Sequence, residues 1–140
     1  KIFDFFESLS QQSQLKAGDF MAEKVISTRP DATLKEAARL MKRASVSQLP
    51  VIDEGKNVGV ISEKIVLDAM NSAKDPKDAS AVPVKEVMAE AMPVIKEDTP
   101  FRVVSSLLDL NSGALVGRRG KIIGIITKAD LLNAVLEKQK

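Results

Sequence analysis

The sequence states nearly the same pattern twice. Asp19-Phe20-Met21-Ala22-Glu23 returns as Glu86-Val87-Met88-Ala89-Glu90, and Pro30-Asp31-Ala32-Thr33 as Lys96-Glu97-Asp98-Thr99. Ser47-Gln48-Leu49-Pro50-Val51 then reappears as Gly113-Ala114-Leu115-Val116-Gly117, and Gly59-Val60-Ile61-Ser62 as Gly124-Ile125-Ile126-Thr127. The spacing falls from 67 residues at Met21 and Met88 to 65 at Gly59 and Gly124. Two one-residue deletions account for this, one before the first long helix and one in the hairpin turn. A repeat of this length is one supersecondary unit, and a lone segment of ~60 residues is marginally stable, so the two copies are expected to share a core.

Each copy carries the same order of elements. In the first, Thr33 and Glu36 form a capping box ahead of Leu34, Ala37, Ala38, Met41 and Ala44 at helical spacing. In the second, Thr99 is the expected cap, Pro100 takes the first helical position, and Phe101, Val104, Leu107 and Leu108 make the apolar stripe. Strand pairs follow, turning through Asp53-Glu54-Gly55-Lys56 and Arg118-Arg119-Gly120-Lys121. A second helix closes each copy, with Val66, Ala69 and Met70 in one and Leu131, Leu132 and Val135 in the other. A short strand before the first helix completes a β-α-β-β-α unit performed twice, an α/β (α+β) fold. The expected division is a helix and linker over 1–16, one copy over 17–72, a polar linker over 73–82 containing Pro76, and the second copy over 83–140.

Composition narrows the function. The chain has no Cys, His, Trp or Tyr, and four of its five Phe lie in the first twenty residues. That removes thiol nucleophiles, Cys/His zinc sites and an imidazole base, so no catalytic or metal-binding residues are assigned and a non-enzyme is the expectation. The adjacent acidic pairs Asp53-Glu54 and Glu97-Asp98 read as solvated turns. A net charge of +2 spread over 21 basic and 19 acidic residues is too small to hold a nucleic-acid backbone. With no apolar run of membrane-spanning length and no signal peptide, a cytoplasmic location is expected. The chain opens on Lys1 rather than Met, which reads as a piece of something longer.

The ordered set Met21, Val25-Ile26, Pro30-Asp31, Leu49-Pro50-Val51-Ile52-Asp53 and Gly59-Val60-Ile61-Ser62, seen again from Met88 to Asp130, resembles a tandem pair of cystathionine beta-synthase (CBS) domains, the Bateman module. The resemblance covers roughly residues 17 to 137. It implies two copies packed pseudo-symmetrically as one regulatory module, with clefts that take AMP, ADP, ATP or S-adenosylmethionine. It also implies that Thr127 meets phosphate and Asp130 the ribose hydroxyls, with Lys128 placed for phosphate. By the same resemblance Ile26, Val46, Ser47, Gln48 and Ala114 complete that site, and a weaker second site involves Ser62, Met92 and Gly113.

The chemistry is consistent with those assignments: a carboxylate accepts from two ribose hydroxyls, and a hydroxyl beside helix N-terminal amides favours phosphate. Thr127 and Asp130 also read as a capping pair at the start of the last helix, and Ile26 and Val46 as ordinary core. In the first copy Ile65 stands where the ribose carboxylate would be, so the two sites are expected to be unequal. Arg118 and Arg119 add charge on a hairpin tip, a position that is ordinarily solvated.

Outside the repeat, Ile2, Phe5, Phe6 and Leu9 form a helical stripe that docks on the module, makes a dimer contact, or ends a preceding domain. The family resemblance implies a homodimer, for which faces carrying Val66, Met70, Leu132 and Val135 are candidates, the alternative being that these residues close the core of a single chain, and an effector that in some microbial relatives is an N-terminal DNA-binding domain. Nothing in this chain supplies a recognition helix, so nucleic acid would be bound only through a missing part. The alternative reading is a structural dimerisation module whose clefts have decayed.

Overall fold

The computed structural model describes residues 15–138. The chain forms two compact units: residues 26–91, and residues up to Val25 together with Met92 onward. The expected N-terminal helix over 1–16 lies outside the described residues except for Leu15 and Lys16, which open the second of these units.

In the unit 26–91, helix α2 (Leu34–Ala44) forms where the capping box predicts. Thr33 Oγ1 accepts from Glu36 N at 3.1 Å, and Glu36 Oε2 accepts from Thr33 N at 3.3 Å. These two bonds occupy donors that the first helical turn cannot satisfy internally. The helix ends at Ser45, which adopts a left-handed conformation with φ 57°. Its stripe Leu34, Ala37 and Met41 packs with Leu49, Val51 and Ile61 of the hairpin β1 (Gln48–Asp53) and β2 (Lys56–Ser62). Helix α3 (Glu63–Ser72) follows directly, with Ser62 Oγ accepting from Ile65 N at 3.2 Å, and adds Val66 to the core. The expected polar linker contains a further short helix, α4 (Pro76–Ser80), capped by Asp75, with Pro76 in its first turn and Ala79 buried.

The other unit repeats this plan. It holds α1 (Ala17–Phe20), β3 (Val94–Lys96), α5 (Phe101–Leu110), the hairpin β4 (Gly113–Arg118) and β5 (Lys121–Thr127), and α6 (Lys128–Lys138). β3 runs parallel to β4, and β4 antiparallel to β5. The core gathers Ala17, Val104, Leu108, Ala114, Val116 and Ile126, with Phe20 and Met21 against it. Phe20 meets Phe101 edge-on at 5.5 Å between ring centres. The equivalent strand in the first copy is reduced to one parallel bridge between Thr28 and Val51, where a short strand was expected around Val25-Ile26.

Hydrogen bonds correct the alignment of the copies. Val84 N donates to Ala32 O and Lys85 N to Pro30 O, while Ala17 N donates to Thr99 O and Gly18 N to Glu97 O, a constant offset of 67. Leu34 N donates to Val82 O as Phe101 N does to Leu15 O, so the two long helices start in step and no deletion precedes them. Both hairpins turn through two residues with positive φ, Glu54 (50°) and Gly55 (81°) against Arg119 (52°) and Gly120 (80°). This is the same tight turn in each copy, whose twist suits a hairpin and which holds no deletion either. Both missing residues therefore fall between the helix and the strand after it, where α2 runs a residue longer and passes through Ser45-Val46-Ser47 while α5 passes only through Asn111-Ser112. Thr99 consequently is not the cap. Pro100 occupies that position without a side-chain bond, because its ring carries no acceptor, and Phe101 N is satisfied by Leu15 O at 2.9 Å as Leu34 N is by Val82 O.

The units also cut the chain differently from the repeats. The Met-Ala-Glu stretch that opens the first repeat pairs with β5, Ala22 and Ile125 exchanging bonds of 2.8 and 2.9 Å. Its second occurrence pairs with β2 in the same way through Ala89 and Val60. This explains why glycine faces methionine twice. A Cβ on Gly59 would fall 2.5 Å from Met88 Sδ and 3.0 Å from Ala89 O, and one on Gly124 would strike Met21 in the same manner.

Candidate functional site

In each unit the hairpin feeds straight into a helix, and this joint holds the polar residues singled out in the sequence. In the unit containing β5, Thr127 ends the strand, half-buried and opposite Gly113, and Lys128 opens α6 with its side chain exposed. Asp130 folds back so that its Oδ2 accepts from Thr127 N at 2.8 Å and from Thr127 Oγ1 at 3.1 Å. The carboxylate thus acts as a cap while its Oδ1 remains for a further donor. Ala114, beside Gly113, is fully buried in the core, so its methyl faces protein. Met92 is also buried.

The corresponding joint in the unit 26–91 places Ser62 opposite Gln48, the first residue of β1. Ser47 is exposed, and its carbonyl accepts from Glu63 N at 3.0 Å, tying the strand entry to the start of α3. Ile65 packs against the core, as do Ile26 and Val46. The structure therefore collects the sequence-derived residues into two sets. Thr127, Lys128, Asp130, Ala114 and Gly113 surround one joint, and Ser47, Gln48 and Ser62 the other.

The hairpin tips are less available than the sequence suggested. The Arg118 guanidinium pairs with the Glu97 carboxylate through both Nε and Nη2. This arginine holds the Glu97 carboxyl below its ordinary value, while the carboxylate raises Arg118. Arg119 sits in the tight turn itself.

Sequence reasoning missed an open pocket of about 610 Å³ next to Asp130. Leu15, Phe20 and Met21 form its apolar side, and Asp19, Asp130, Asn133 and Glu137 its polar side. The helical spacing of Asp130, Asn133 and Glu137 was the available signal, since residues three and seven apart share a face. Its carboxylates disfavour phosphate, which leaves the Thr127 and Lys128 side of the joint as the better place for an anion. Among the described residues no acidic group is arranged to hold a metal ion, and no helix is long and apolar enough to cross a membrane.

Comparison with known proteins gives the family and the fold. A model of the CBS domain family matches residues 17–72 and 84–137. An uncharacterized protein of Methanocaldococcus jannaschii is 31% identical over 133 residues, covering 93% of this chain and 43% of its own length. Inosine-5'-monophosphate dehydrogenase of the same organism is 33% identical over 125 residues, covering 86% of this chain and 24% of the enzyme. The chain thus spans less than half the length of either relative. Among solved structures, the Arabidopsis thaliana protein CBSX2 in complex with AMP matches with a TM-score of 0.76 at 26% identity, covering 90% of this chain and 99% of that one.

Proposed function

The chain belongs to the CBS domain family as a tandem pair, and on that premise we propose that it is a regulatory module sensing an adenosine-containing ligand, AMP, ADP, ATP or S-adenosylmethionine. The observation that carries this reading is the inequality of the two strand-to-helix joints. One offers a hydroxyl, a lysine, helix N-terminal amides and a carboxylate with an oxygen to spare; the other has Ile65 packed into the core at the carboxylate's position.

On this reading Thr127 and Lys128 receive phosphate, and Asp130 accepts from the ribose hydroxyls. The remaining residues of the resemblance, Ile26, Val46, Ser47, Gln48 and Ala114, are proposed contacts for the base. Aliphatic walls and backbone groups hold it on this reading, because none of these five residues carries an aromatic ring. Binding biases an attached or partner effector by the difference in affinity between its states, and a DNA-binding domain is one such effector. The AMP-bound CBSX2 structure supports the ligand class. The match to only about a quarter of inosine-5'-monophosphate dehydrogenase supports a role beside catalysis rather than in it. A cytoplasmic location belongs to the same proposal.

Calorimetry with AMP, ADP, ATP and S-adenosylmethionine tests it. One strong site per chain is expected, weakened about tenfold or more in Asp130→Ala. Two equal sites, or no heat with any of the four, would overturn it.

A second reading, a structural homodimer with decayed clefts, is favoured by Ile65 and by the exposed Leu67, Leu132 and Leu136. Of the residues expected at a dimer face or in the core, Val66 is buried and Met70 packs on the core, while Leu132 is exposed, as is Leu67. A dimer affinity that ignores nucleotide, measured by sedimentation, would support this reading against the first.

A further inference from the structure

Helix α2 gathers its positive charge on one side. Lys35, Arg39, Lys42 and Arg43 are all exposed, on the face turned away from the buried Leu34, Ala37 and Met41. From Lys35 to Arg43 the stripe rises ~12 Å. None of the four pairs with a carboxylate among the described residues, where the ion pairs join Arg29 to Asp31, Lys64 to Asp68 and Arg118 to Glu97. Glu36, within the same helix, is engaged by the Thr33 amide.

The fold does not require this stripe. At the offset of 67 the matched positions on α5 are Arg102, Ser106, Asp109 and Leu110, yet that helix packs on its own hairpin through Val104 and Leu108 in the same way. Lys42 and Arg43 suit the carbonyl end of α2, but Lys35 stands in its first turn, where a cation meets unpaired amides. Lys35 and Arg39, and again Arg39 and Arg43, lie four residues apart and repel each other. A destabilising run of like charge that the matched helix lacks points to a partner outside the chain.

Charge and composition narrow what that partner is. The unit 26–91 holds ten basic and ten acidic residues, so beyond the stripe itself its field is neutral. A nucleic-acid backbone or an anionic membrane is far larger than the stripe and meets the unit's carboxylates along with its cations. The unit also has no aromatic ring to stack on a base or to settle in a lipid interface. A second copy docked by this same face about a two-fold axis sets cations against cations. We propose that the stripe docks a short acidic segment of a partner protein, a helix with carboxylates every fourth residue that meet Lys35, Arg39 and Arg43 in turn, with Lys42 alongside. The two guanidiniums can each grip a carboxylate through two N–H groups, which fixes the register of the segment.

The test uses the full chain and a fluorescein-labelled alanine-rich peptide with glutamate at every fourth position, followed by anisotropy. Binding is expected at low salt, weakened about fivefold or more at physiological ionic strength, where the screening length is ~8 Å. Arg39→Ser with Lys42→Asp gives α2 the residues that α5 holds at those positions, and should weaken binding about tenfold or more, with thermal unfolding to check the fold. Arg39→Ser alone, a single exposed change, should weaken it about threefold. Lys56→Ser with Lys121→Asp makes a similar charge change at the hairpin turns and should shift affinity by less than about twofold. No binding at low salt would overturn the proposal, as would equal losses in the two double variants. A peptide of the same composition with its glutamates scattered around the helix should bind more weakly, and equal binding would equally overturn it. Tighter binding of duplex DNA or of phosphatidylserine vesicles, abolished by Arg39→Ser with Lys42→Asp, would assign the stripe to a polyanion instead.

Discussion

The joints Ser62–Ile65 and Thr127–Asp130 share a backbone plan and differ in what their fourth residue does. Ile65 donates its amide to Ser62 and turns its side chain into the core, whereas Asp130 turns back and takes two donors from Thr127. One position thus serves packing in one unit and helix capping in the other. The lesson is that duplication preserved the hydrogen-bonded frame while freeing individual side chains to diverge. The long helices say the same, with charged Glu36 and Arg43 on α2 against Val103 and Leu110 on α5.

The frame's equivalence is most exposed to test in the core. Met41 and Leu108 occupy matched positions and are 2% and 1% exposed. Met41→Ala and Leu108→Ala should each cost about 2–5 kcal/mol in urea unfolding, and a cost well under 1 kcal/mol for either would break the equivalence. Next in size is the exchange of the fourth residues. Asp130→Ile should lower affinity for an adenosine ligand by about 10–100-fold, while Ile65→Asp should destabilise its unit by burying a carboxylate at a core-facing position. An Asp130→Ile chain that binds as well as the parent would remove Asp130 from the site.

Smaller effects separate the helix starts. Thr33→Ala removes a capping bond and should cost about 1 kcal/mol, whereas Thr99→Ala should change stability by less than about 0.5 kcal/mol. Equal losses would restore Thr99 as a cap.

The smallest effect concerns the pair Glu97 and Arg118, whose counterparts Pro30 and Asp53 cannot form it. Because Arg118 holds the Glu97 carboxyl below its ordinary value of 4.5, the pair's contribution is complete above that pH and is lost as pH falls through the lowered value. Glu97→Gln should flatten this acid-limb loss without altering stability at pH 7 by much, as expected for an exposed pair. An unchanged acid limb would show that the pair contributes nothing.

Much of this was written locally. The capping box at Thr33, the Glu54-Gly55 and Arg119-Gly120 turns, and the apolar periodicity of α2 and α5 depend on neighbours within a few residues, so sequence spacing reveals them. Thr99 misled because a threonine before Pro100 carries the same local signal whether or not it caps; the bond that sets the register of the helix start, from Phe101 N to Leu15 O, comes from far away in sequence. The deletions were misplaced for a similar reason, since only hydrogen-bond register shows which residues are equivalent. In the candidate site, spacing showed Thr127 and Asp130 as a capping pair and the family resemblance singled them out for a ligand, but Asp19 and Phe20 were not legible, because a distant segment brings them beside α6.

The sequence by itself determined the duplication, the order of elements, the exclusion of thiol and imidazole chemistry, and the inequality of the two joints. Tertiary structure decided which opening segment each hairpin receives, that Ile65 belongs to the core, and that Arg118 is committed to Glu97. Those outcomes rest on contacts between residues far apart in the chain, whose energies depend on packing and register that no local pattern encodes.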